Sequence, residues 1–325
     1  MRFPKHCKSL LAATILTALS ALAAPAMAQT WPAKPVRLID PYAPGGSTSV
    51  VSRAISQKFQ EALGQPMIVE YKPGAGSNIG SEAVAKAAPD GYTLLLGTSS
   101  LAINPHLYKS MGFDPLKDLA PIITLVRLPN VLAVHPSLPV KNVKELLDYA
   151  RANPGKLNYG SSGNGATNHM GMEALKLATK TNLVHVPFKG GSEAMAALVA
   201  GQIQVLFNPG STLFPQEKAG RLRIIAIGAP NKVDGIDLPP VSETVPGFDS
   251  GVWFAFFAPA GTPAAIVNRA NAEFAKMARD PQVADALNRA GMTFVGGPPE
   301  ALGKMMAEET ARWGAVIKAS GIKIE

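Results

Sequence analysis

Cysteine is almost absent from this 325-residue chain, and Cys7 is its single example. A lone thiol cannot close an intrachain disulfide, and a zinc site with several cysteine ligands is excluded for the same reason. Cys7 also precedes the first apolar run instead of following it, which is the wrong order for a lipid-attachment site. The protein must therefore be stabilised by a hydrophobic core, and its length is ample for two lobes.

Long apolar runs are absent beyond the N-terminus. Residues 10–24 are apolar, follow three basic residues and precede a small-x-small sequence that ends at Ala28. This order predicts a secretory signal peptide over residues 1–28, cleaved after Ala28. The alternative is a membrane anchor, but the run is shorter than the roughly 20 residues that a spanning helix needs. We expect an exported protein that is not embedded in a membrane after cleavage.

Charge is modest and dispersed. The chain carries 31 Lys and Arg against 23 Asp and Glu, a net charge of +8, and only 6% of its residues are aromatic. Basic residues form no run and are not interleaved with aromatic side chains, so no nucleic-acid partner is expected. The positive excess either draws anionic solutes toward the protein or serves solubility alone, and the sequence leaves both open.

Catalytic and metal-binding signatures are lacking too. The nearest approach to a G-x-S-x-G nucleophile elbow is GSSGN at residues 160–164, where Asn164 replaces the second glycine. A serine here with His169 leaves an exported serine hydrolase as an alternative, although no acid that would orient the histidine is evident. The near-dinucleotide motif at residues 74–80 has its third glycine one position late. The histidines lack the spacing of metal ligands, so no metal and no cofactor are expected.

What the chain has instead is a set of short loops built from glycine, hydroxyl and amide residues. They are PGGSTS at 44–49, GAGSN at 74–78, GTSS at 97–100, SSGNG at 161–165 and KGGS at 189–192. The first, fourth and fifth run directly into helical patterns, and we expect Ser47 to cap the first of these helices. Glycine lets backbone N–H groups turn toward a ligand, and a helix N-terminus adds partial positive charge. These loops predict a cleft that binds an anion without needing an arginine.

Strand and helix patterns alternate along the chain. The order is βαβαβ from about residue 36 to residue 96, which is typical of a parallel sheet with crossover helices. A second such unit follows Pro129, and a buried strand at 252–258 leads into C-terminal helices. If those helices pack on the first sheet, the chain crosses between lobes near 127–131 and near 250–253, which makes a hinge beside a ligand site. The sequence thus predicts an α/β fold of two lobes, each a mostly parallel sheet flanked by helices, with lobe 1 at 29–128 and 252–325 and lobe 2 at 129–251.

Seven motifs occur in an order that is similar to one known family. They are PYAPGGST at 41–48, PGAGSNIG at 73–80, APDGYTLL at 88–95, NPGKLNY at 153–159, SSGNG at 161–165, HVPFKGG at 185–191 and APAGTP at 258–263. Each motif alone is weak, but together they resemble the Bug family, the solute-binding proteins of tripartite tricarboxylate transporters. The resemblance covers essentially the whole chain after the signal peptide.

The resemblance implies a type II periplasmic binding protein-like fold that closes over a small carboxylate. Dicarboxylates, aromatic acids and acidic amino acids all stay open as the solute, as does an uncharged relative such as an amide or nicotinamide. It further implies a monomer that delivers its solute to the membrane permease subunits of a tripartite transporter. The same fold could instead report solute occupancy to a membrane sensor kinase, and the sequence does not separate these roles.

The resemblance also implies which residues hold the solute. Those it implies in lobe 1 are Tyr42, Gly45, Gly46, Ser47 and Thr48, and those in lobe 2 are Ser162, Gly163, Asn164, Thr167, His169, Lys189 and Gly190. The glycine and hydroxyl loops add Ser77, Asn78 and Ser99, and Asn208 is a further candidate in lobe 2. Ser49 and Asn208 stand where the family commonly has aspartate. Loss of these charges would favour a more anionic solute or weaken the proton dependence of binding, unless the changes are neutral.

Overall fold

A computed structural model describes residues 31–229, 231–232 and 236–320. The predicted signal peptide and its cleavage after Ala28 lie outside the described residues. The strands and helices belong to the compact unit Lys34–Glu325. Across the described part of the chain, no helix combines the length and the apolar character needed to cross a membrane.

The described residues form an α/β fold. Its strands are β1 Val36–Asp40, β2 Met67–Tyr71, β3 Thr93–Thr98, β4 Leu119–Val134, β5 Asn158–Ser161, β6 Val184–Pro187, β7 Val205–Pro209, β8 Arg223–Ile227, β9 Gly251–Pro259 and β10 Thr293–Gly296. Its α-helices are α1 Ser47–Leu63, α2 Asn78–Ala85, α3 Ser100–Ile103, α4 Val143–Ala152, α5 Thr167–Thr179, α6 Gly191–Val199, α7 Gly210–Lys218, α8 Ala264–Arg279, α9 Pro281–Arg289 and α10 Pro299–Ser320. Single 3₁₀ turns lie at Ala75–Ser77, Asn104–His106 and Val241–Glu243.

The strands join in the order β2-β1-β3-β9-β4-β7-β5-β6, with β8 and β10 also pairing with β4. Strands β2, β1 and β3 are parallel to one another, as are β6, β5 and β7. The central pairs, β3 with β9, β9 with β4, and β4 with β7, are antiparallel. The expected parallel order therefore holds for the outer strands, while the sheet as a whole is mixed. The reason is that β4 and β9 carry the chain between the lobes in opposite directions.

Strand β4 belongs to both lobes. Its first part, through Pro129, pairs with β9 in the sheet that holds β1–β3, which we call the first lobe. From Asn130 onward it pairs with β7 and β8 in the second lobe. The chain returns at the start of β9, where Gly251 pairs with Pro129. Both crossings thus lie side by side, and together they form the strand pair that joins the two lobes.

Helix α1 shows how local sequence positions the first loop. Val51, Ile55 and Phe59 recur at helical spacing and are fully buried against the first sheet. The helix ends at Gly64, whose left-handed backbone (φ +69°) lets its N–H donate to the Gln60 carbonyl. With its apolar face fixed in this way, the N-terminus of α1 points away from the core toward the second lobe.

The C-terminal helices pack on the first lobe. The Phe274 ring of α8 lies 4.5 Å from the Phe256 ring of β9 and 6.0 Å from the Phe59 ring of α1, measured between centroids. In α10, Met306 and Trp313 are buried in the same core as Phe257. The apolar pattern of α10 is therefore used for core packing, as we expect from the sequence. This packing requires the chain to return from the second lobe.

Candidate functional site

A pocket of about 410 Å³, measured out to its open mouth, lies between the two lobes. Its wall comes from the segments that follow β1, β5 and β6, from the ends of β3 and β7, and from the strand β9. The described residues that line it are Tyr42, Gly46, Ser47, Thr48, Thr98, Ser162, Ala166, Thr167, Asn168, Gly191, Asn208, Pro209, Val252 and Phe254. Every one of these residues is uncharged.

Four helices begin at this pocket. Gly46, Ala166, Gly190 and Pro209 precede α1, α5, α6 and α7, and none of these four positions supplies a side-chain cap to its helix. The first N–H groups of a helix have no partner within the helix, and the helix dipole makes that end partially positive. The pocket is therefore a place where backbone donors and positive potential converge without a cationic side chain.

Seven of the sixteen residues predicted for the site line the pocket. They are Tyr42, Gly46, Ser47, Thr48, Ser162, Thr167 and Asn208. The structure also places Gly191 of the predicted KGGS loop in the lining, and it adds residues that sequence reasoning did not place among the site residues, namely Thr98, Ala166, Asn168, Pro209, Val252 and Phe254. Contact of any of them with a solute stays a prediction.

Of the other four predicted residues of the first lobe, three have structural partners beside the pocket. The Gly45 N–H donates to Ser49 Oγ at 3.0 Å, which closes the first loop. The Asn78 side chain accepts from Asn104 Nδ2 at 2.7 Å. Ser99 Oγ accepts from the Trp253 N–H at 3.0 Å, so it faces β9 while the neighbouring Thr98 faces the pocket. Ser77 is buried and does not line the pocket.

The remaining predicted residues of the second lobe are likewise outside the pocket lining. The Asn164 carbonyl accepts from the Tyr108 hydroxyl at 2.6 Å, and the Gly163 N–H donates to Ser161 Oγ. His169 Nδ1 accepts from the Gly165 N–H at 3.2 Å. Lys189 is exposed, and Gly190 is the residue that precedes α6. These positions shape the loops, since their groups bond within the protein.

The expectation that Ser47 caps α1 is wrong, because the helix already begins at Ser47 and Gly46 occupies the cap position. The Ser47 hydroxyl instead accepts from Ser211 Oγ of the second lobe at 2.6 Å. Among the described residues, two further hydrogen bonds cross between the lobes. Ser192 Oγ donates to the Pro44 backbone carbonyl, and the Tyr108 hydroxyl donates to the Asn164 backbone carbonyl. The lobes are thus joined directly around the pocket in a closed arrangement.

A single buried acid lies behind the first loop. Burial raises the pKa of Asp40 to about 7, even though the Tyr42 N–H and the Ser52 hydroxyl donate to its carboxylate. The Thr48 hydroxyl lies near enough to lower this pKa but has no well-formed hydrogen bond among the described residues. Burial also raises the pKa of Tyr42, so its hydroxyl stays protonated. This hydroxyl lies 2.9 Å from Ser100 Oγ.

A stacked pair of histidines supports the SSGNG loop of the second lobe. The rings of His169 and His185 are 4.0 Å apart between centroids, and His185 Nε2 lies 2.6 Å from Ser161 Oγ. Burial lowers the pKa of His169 to about 4 and that of His185 to about 3. The Ser–His contact therefore uses Ser161 and His185, not the His169 considered from the sequence. Ser161 is fully buried and also bonds to Gly163, so this pair holds the loop.

The family model of the tripartite tricarboxylate transporter family receptor matches residues 51–322 of this chain. The chain belongs to this receptor family. The protein BugT of Bordetella pertussis is 32% identical over 315 residues, which cover 96% of this chain and 97% of BugT. The family consists of solute-binding receptors and not of enzymes, so the serine hydrolase alternative is set aside.

Solved structures of similar proteins carry bound carboxylates. A Rhodopseudomonas palustris protein with adipate is 34% identical, has a TM-score of 0.87, and aligns over 90% of this receptor and all of that chain. MatC from the same organism, with bound malate, is 30% identical, has a TM-score of 0.83, and aligns over 88% of this receptor and all of MatC. These similarities establish the two-lobed periplasmic binding protein fold of this receptor.

Proposed function

We propose that this receptor captures a small dicarboxylate in the interlobe pocket and delivers it to a tripartite tricarboxylate transporter. The observation that carries the proposal is the convergence of four helix N-termini without side-chain caps on a pocket lined by uncharged residues. Adipate and malate, bound by two similar proteins, are the first solutes to consider.

The pocket chemistry suits an anion with several acceptor atoms. Backbone N–H groups at the starts of α1 and α5 come from opposite lobes, so two carboxylates, or the two oxygens of one, can be held from both sides. Thr48 lines the pocket, and its buried hydroxyl, which lies near Asp40, has no well-formed hydrogen bond in the described part of the chain. This hydroxyl can therefore donate either to that carboxyl group or to a solute. A charge-assisted bond in such a partly dry pocket is stronger than in water.

Closure follows from the same contacts. A carboxylate that docks on the first loop would attract the N-terminus of α5, and the bonds from Ser211 to Ser47 and from Ser192 to Pro44 would then fix the closed lobes. The boundaries we propose for the lobes, 29–128 with 252–325 and 129–251, are supported by the change of β4 partners at Asn130. The closed surface would be the form offered to the permease.

Thermal melting of the mature protein against adipate, malate, benzoate, glutamate and nicotinamide tests the proposal. A solute at 100 times its dissociation constant adds about 2.7 kcal/mol of stability. We expect a rise in melting temperature with at least one dicarboxylate and none with adipamide, which has the same length but no charge. A shift with nicotinamide or adipamide and with no acid would contradict the proposal and indicate an uncharged solute.

The partner and the export route need separate measurements. Co-purification from detergent-solubilised membranes, with and without the solute, should recover permease subunits, whereas recovery of a sensor kinase would favour the sensing role. Mass spectrometry of the exported protein should give an N-terminus at Gln29. Light scattering should give the mass of a monomer.

A further inference from the structure

A chain of buried side-chain amides runs behind Ser162 in the second lobe. Asn168 and Asn208 are each 1% exposed, and Asn168 Nδ2 lies 2.8 Å from Asn208 Oδ1. Both residues line the pocket, although 40 positions separate them in the sequence. The hydrogen bonds of this pair decide in which direction the neighbouring hydroxyl can donate.

The orientation of Asn168 is fixed by the backbone. Its Oδ1 accepts from the Ser162 N–H at 3.1 Å and from the His169 N–H at 3.0 Å. Because a backbone N–H can only donate, the atom that meets these two groups must be the amide oxygen. The Nδ2 group of Asn168 is left to face Asn208 and the Ser162 hydroxyl, which it meets at 3.0 Å.

The orientation of Asn208 then follows from that of Asn168. Its oxygen must face Asn168 Nδ2, so its own Nδ2 donates to Thr212 Oγ1 at 2.8 Å and to the Gly191 carbonyl at 3.4 Å. The Thr212 hydroxyl in turn donates a hydrogen bond to the Pro209 carbonyl at 3.0 Å. Either amide, if turned over, would place two donors or two acceptors against each other in a buried site.

The consequence for Ser162 is that its hydroxyl oxygen is already an acceptor. Asn168 Nδ2 donates to it, and no described residue takes the hydroxyl proton at hydrogen-bond geometry. Ser162 lines the pocket, so its proton is free for a group placed there. A group that can only donate, such as an ammonium, would meet a second donor at this point.

We propose that Asn168 and Asn208 are positioning residues that make Ser162 a hydrogen-bond donor toward the pocket, so that this corner favours a hydrogen-bond acceptor such as a carboxylate oxygen. The proposal rests on the proposed function for the identity of the solute. We call the hydrogen bonds from Asn168 to Asn208 and Ser162, and from Asn208 to Thr212, the amide relay. The direction of this relay depends only on contacts within the chain.

The decisive experiment reverses the relay at one position. In Asn168→Asp, one carboxylate oxygen keeps both backbone bonds and the other faces both Ser162 and Asn208. Asn208 must then turn over to donate to Asp, and the serine must also donate to Asp and turns a lone pair toward the pocket. Asn208→Asp is the matched control: it adds the same charge nearby but still accepts from Asn168, which leaves Ser162 unchanged. Adipate and malate binding is measured by calorimetry for both variants, each with and without Ser162→Ala.

In the wild type and in Asn208→Asp, we expect Ser162→Ala to weaken dicarboxylate binding about 10-fold, because a bond to a charged group is lost. In Asn168→Asp, the same substitution should change affinity less than twofold, because the donor is already turned away. A charge effect alone would leave the loss from Ser162→Ala equal in all three backgrounds, and that result would overturn the proposal.

A second measurement needs no solute and separates the relay from the proposed function. Asn208→Leu removes the acceptor for Asn168 and should lower the melting temperature clearly more than Asn208→Asp, which retains it. If this order holds while no carboxylate binds the wild type, the proposed function fails and the relay stands. Equal melting temperatures for the two variants would count against the relay.

Discussion

Asn130 and Ser250 tie together the two segments that connect the lobes. The Asn130 Nδ2 group donates to both the backbone carbonyl and the hydroxyl oxygen of Ser250, each at 3.2 Å, and both residues are buried. Asn130 is where β4 changes partners, and Ser250 immediately precedes β9. A single amide therefore bridges the two segments where they pass between the lobes.

Removal of this amide should loosen the hinge. We expect Asn130→Ala to lower the free energy of unfolding by about 1–2 kcal/mol, because the buried Ser250 groups lose their donor. Ser250→Ala removes only one of the two contacts and should cost less. The two substitutions made together should be less damaging than the sum of both, as urea unfolding can measure. Strict additivity would show that the residues act independently.

Asp40 should make stability decrease with rising pH. Its pKa is about 7 in the fold, compared with an ordinary value of 3.8, so the folded protein binds a proton more tightly than the unfolded chain. The stabilisation is complete below pH 4, is lost as the pH rises toward 7, and amounts to on the order of 4 kcal/mol. Asn in place of Asp40 should abolish this slope in chemical unfolding curves taken from pH 4 to 8. A variant with the wild-type slope would contradict the assignment.

His185 should have the opposite effect. Its pKa in the fold is about 3, below the ordinary 6.5, because the buried site disfavours the charged imidazole. The folded state is therefore fully stabilised above pH 6.5, and this stabilisation is lost as the pH falls. At pH 5 the loss is about 2 kcal/mol. The His185→Gln variant should therefore be less acid-sensitive than the wild type in thermal melts at pH 5 and 7.5. Equal acid sensitivity of the variant and the wild type would contradict this prediction.

Gly76 should be required for closure. It has a left-handed backbone (φ +60°), and a Cβ atom there would overlap the Asn164 carbonyl oxygen of the other lobe. Gly64 has a similar φ of +69° with open space around it. Alanine at either position should cost roughly 1–2 kcal/mol of stability from backbone strain. Only Gly76→Ala should also weaken solute binding, by tenfold or more in calorimetry. Equal binding by the two variants would show that closure tolerates the extra atom.

Thr167 should contribute directly to affinity. It is the first residue of α5 and lines the pocket. We expect Thr167→Ala to weaken binding by roughly 1–3 kcal/mol if a buried carboxylate oxygen loses its partner. Thr167→Ser keeps the hydroxyl and should restore most of the affinity in the same titration. If alanine and serine bind alike, the hydroxyl does not contact the solute.

Local sequence was sufficient for the elements that carry the anion-binding loops. The end of α1 at Gly64 and its buried face of Val51, Ile55 and Phe59 could be predicted, and its start was predicted one residue late, because these signals act within a few residues. The first half of β4, strand β10 and helix α7 were not predicted. Their formation depends on partners far along the chain, and in β4 the pattern is interrupted by Pro121 and Pro129.

The site shows the same division at the level of single residues. Thr98 and Ser99 both belong to a loop that the sequence marks, yet only Thr98 faces the pocket, since successive side chains at a strand end point in opposite directions. Asn168, which lies between Thr167 and His169, is not among the residues that the sequence predicts for the site. No local signal distinguishes it, because its role depends on Asn208.

The sequence by itself determined the alternation of strands and helices, the glycine and hydroxyl chemistry of the loops, and the family to which the chain belongs. These properties are local or are encoded in the order of motifs. The tertiary structure alone decided which loop residues face the pocket, how β4 and β9 join the lobes, and in which direction the amides behind Ser162 donate. Such features arise only when residues distant in the chain are brought within hydrogen-bond distance, where burial leaves each donor and acceptor a single workable partner.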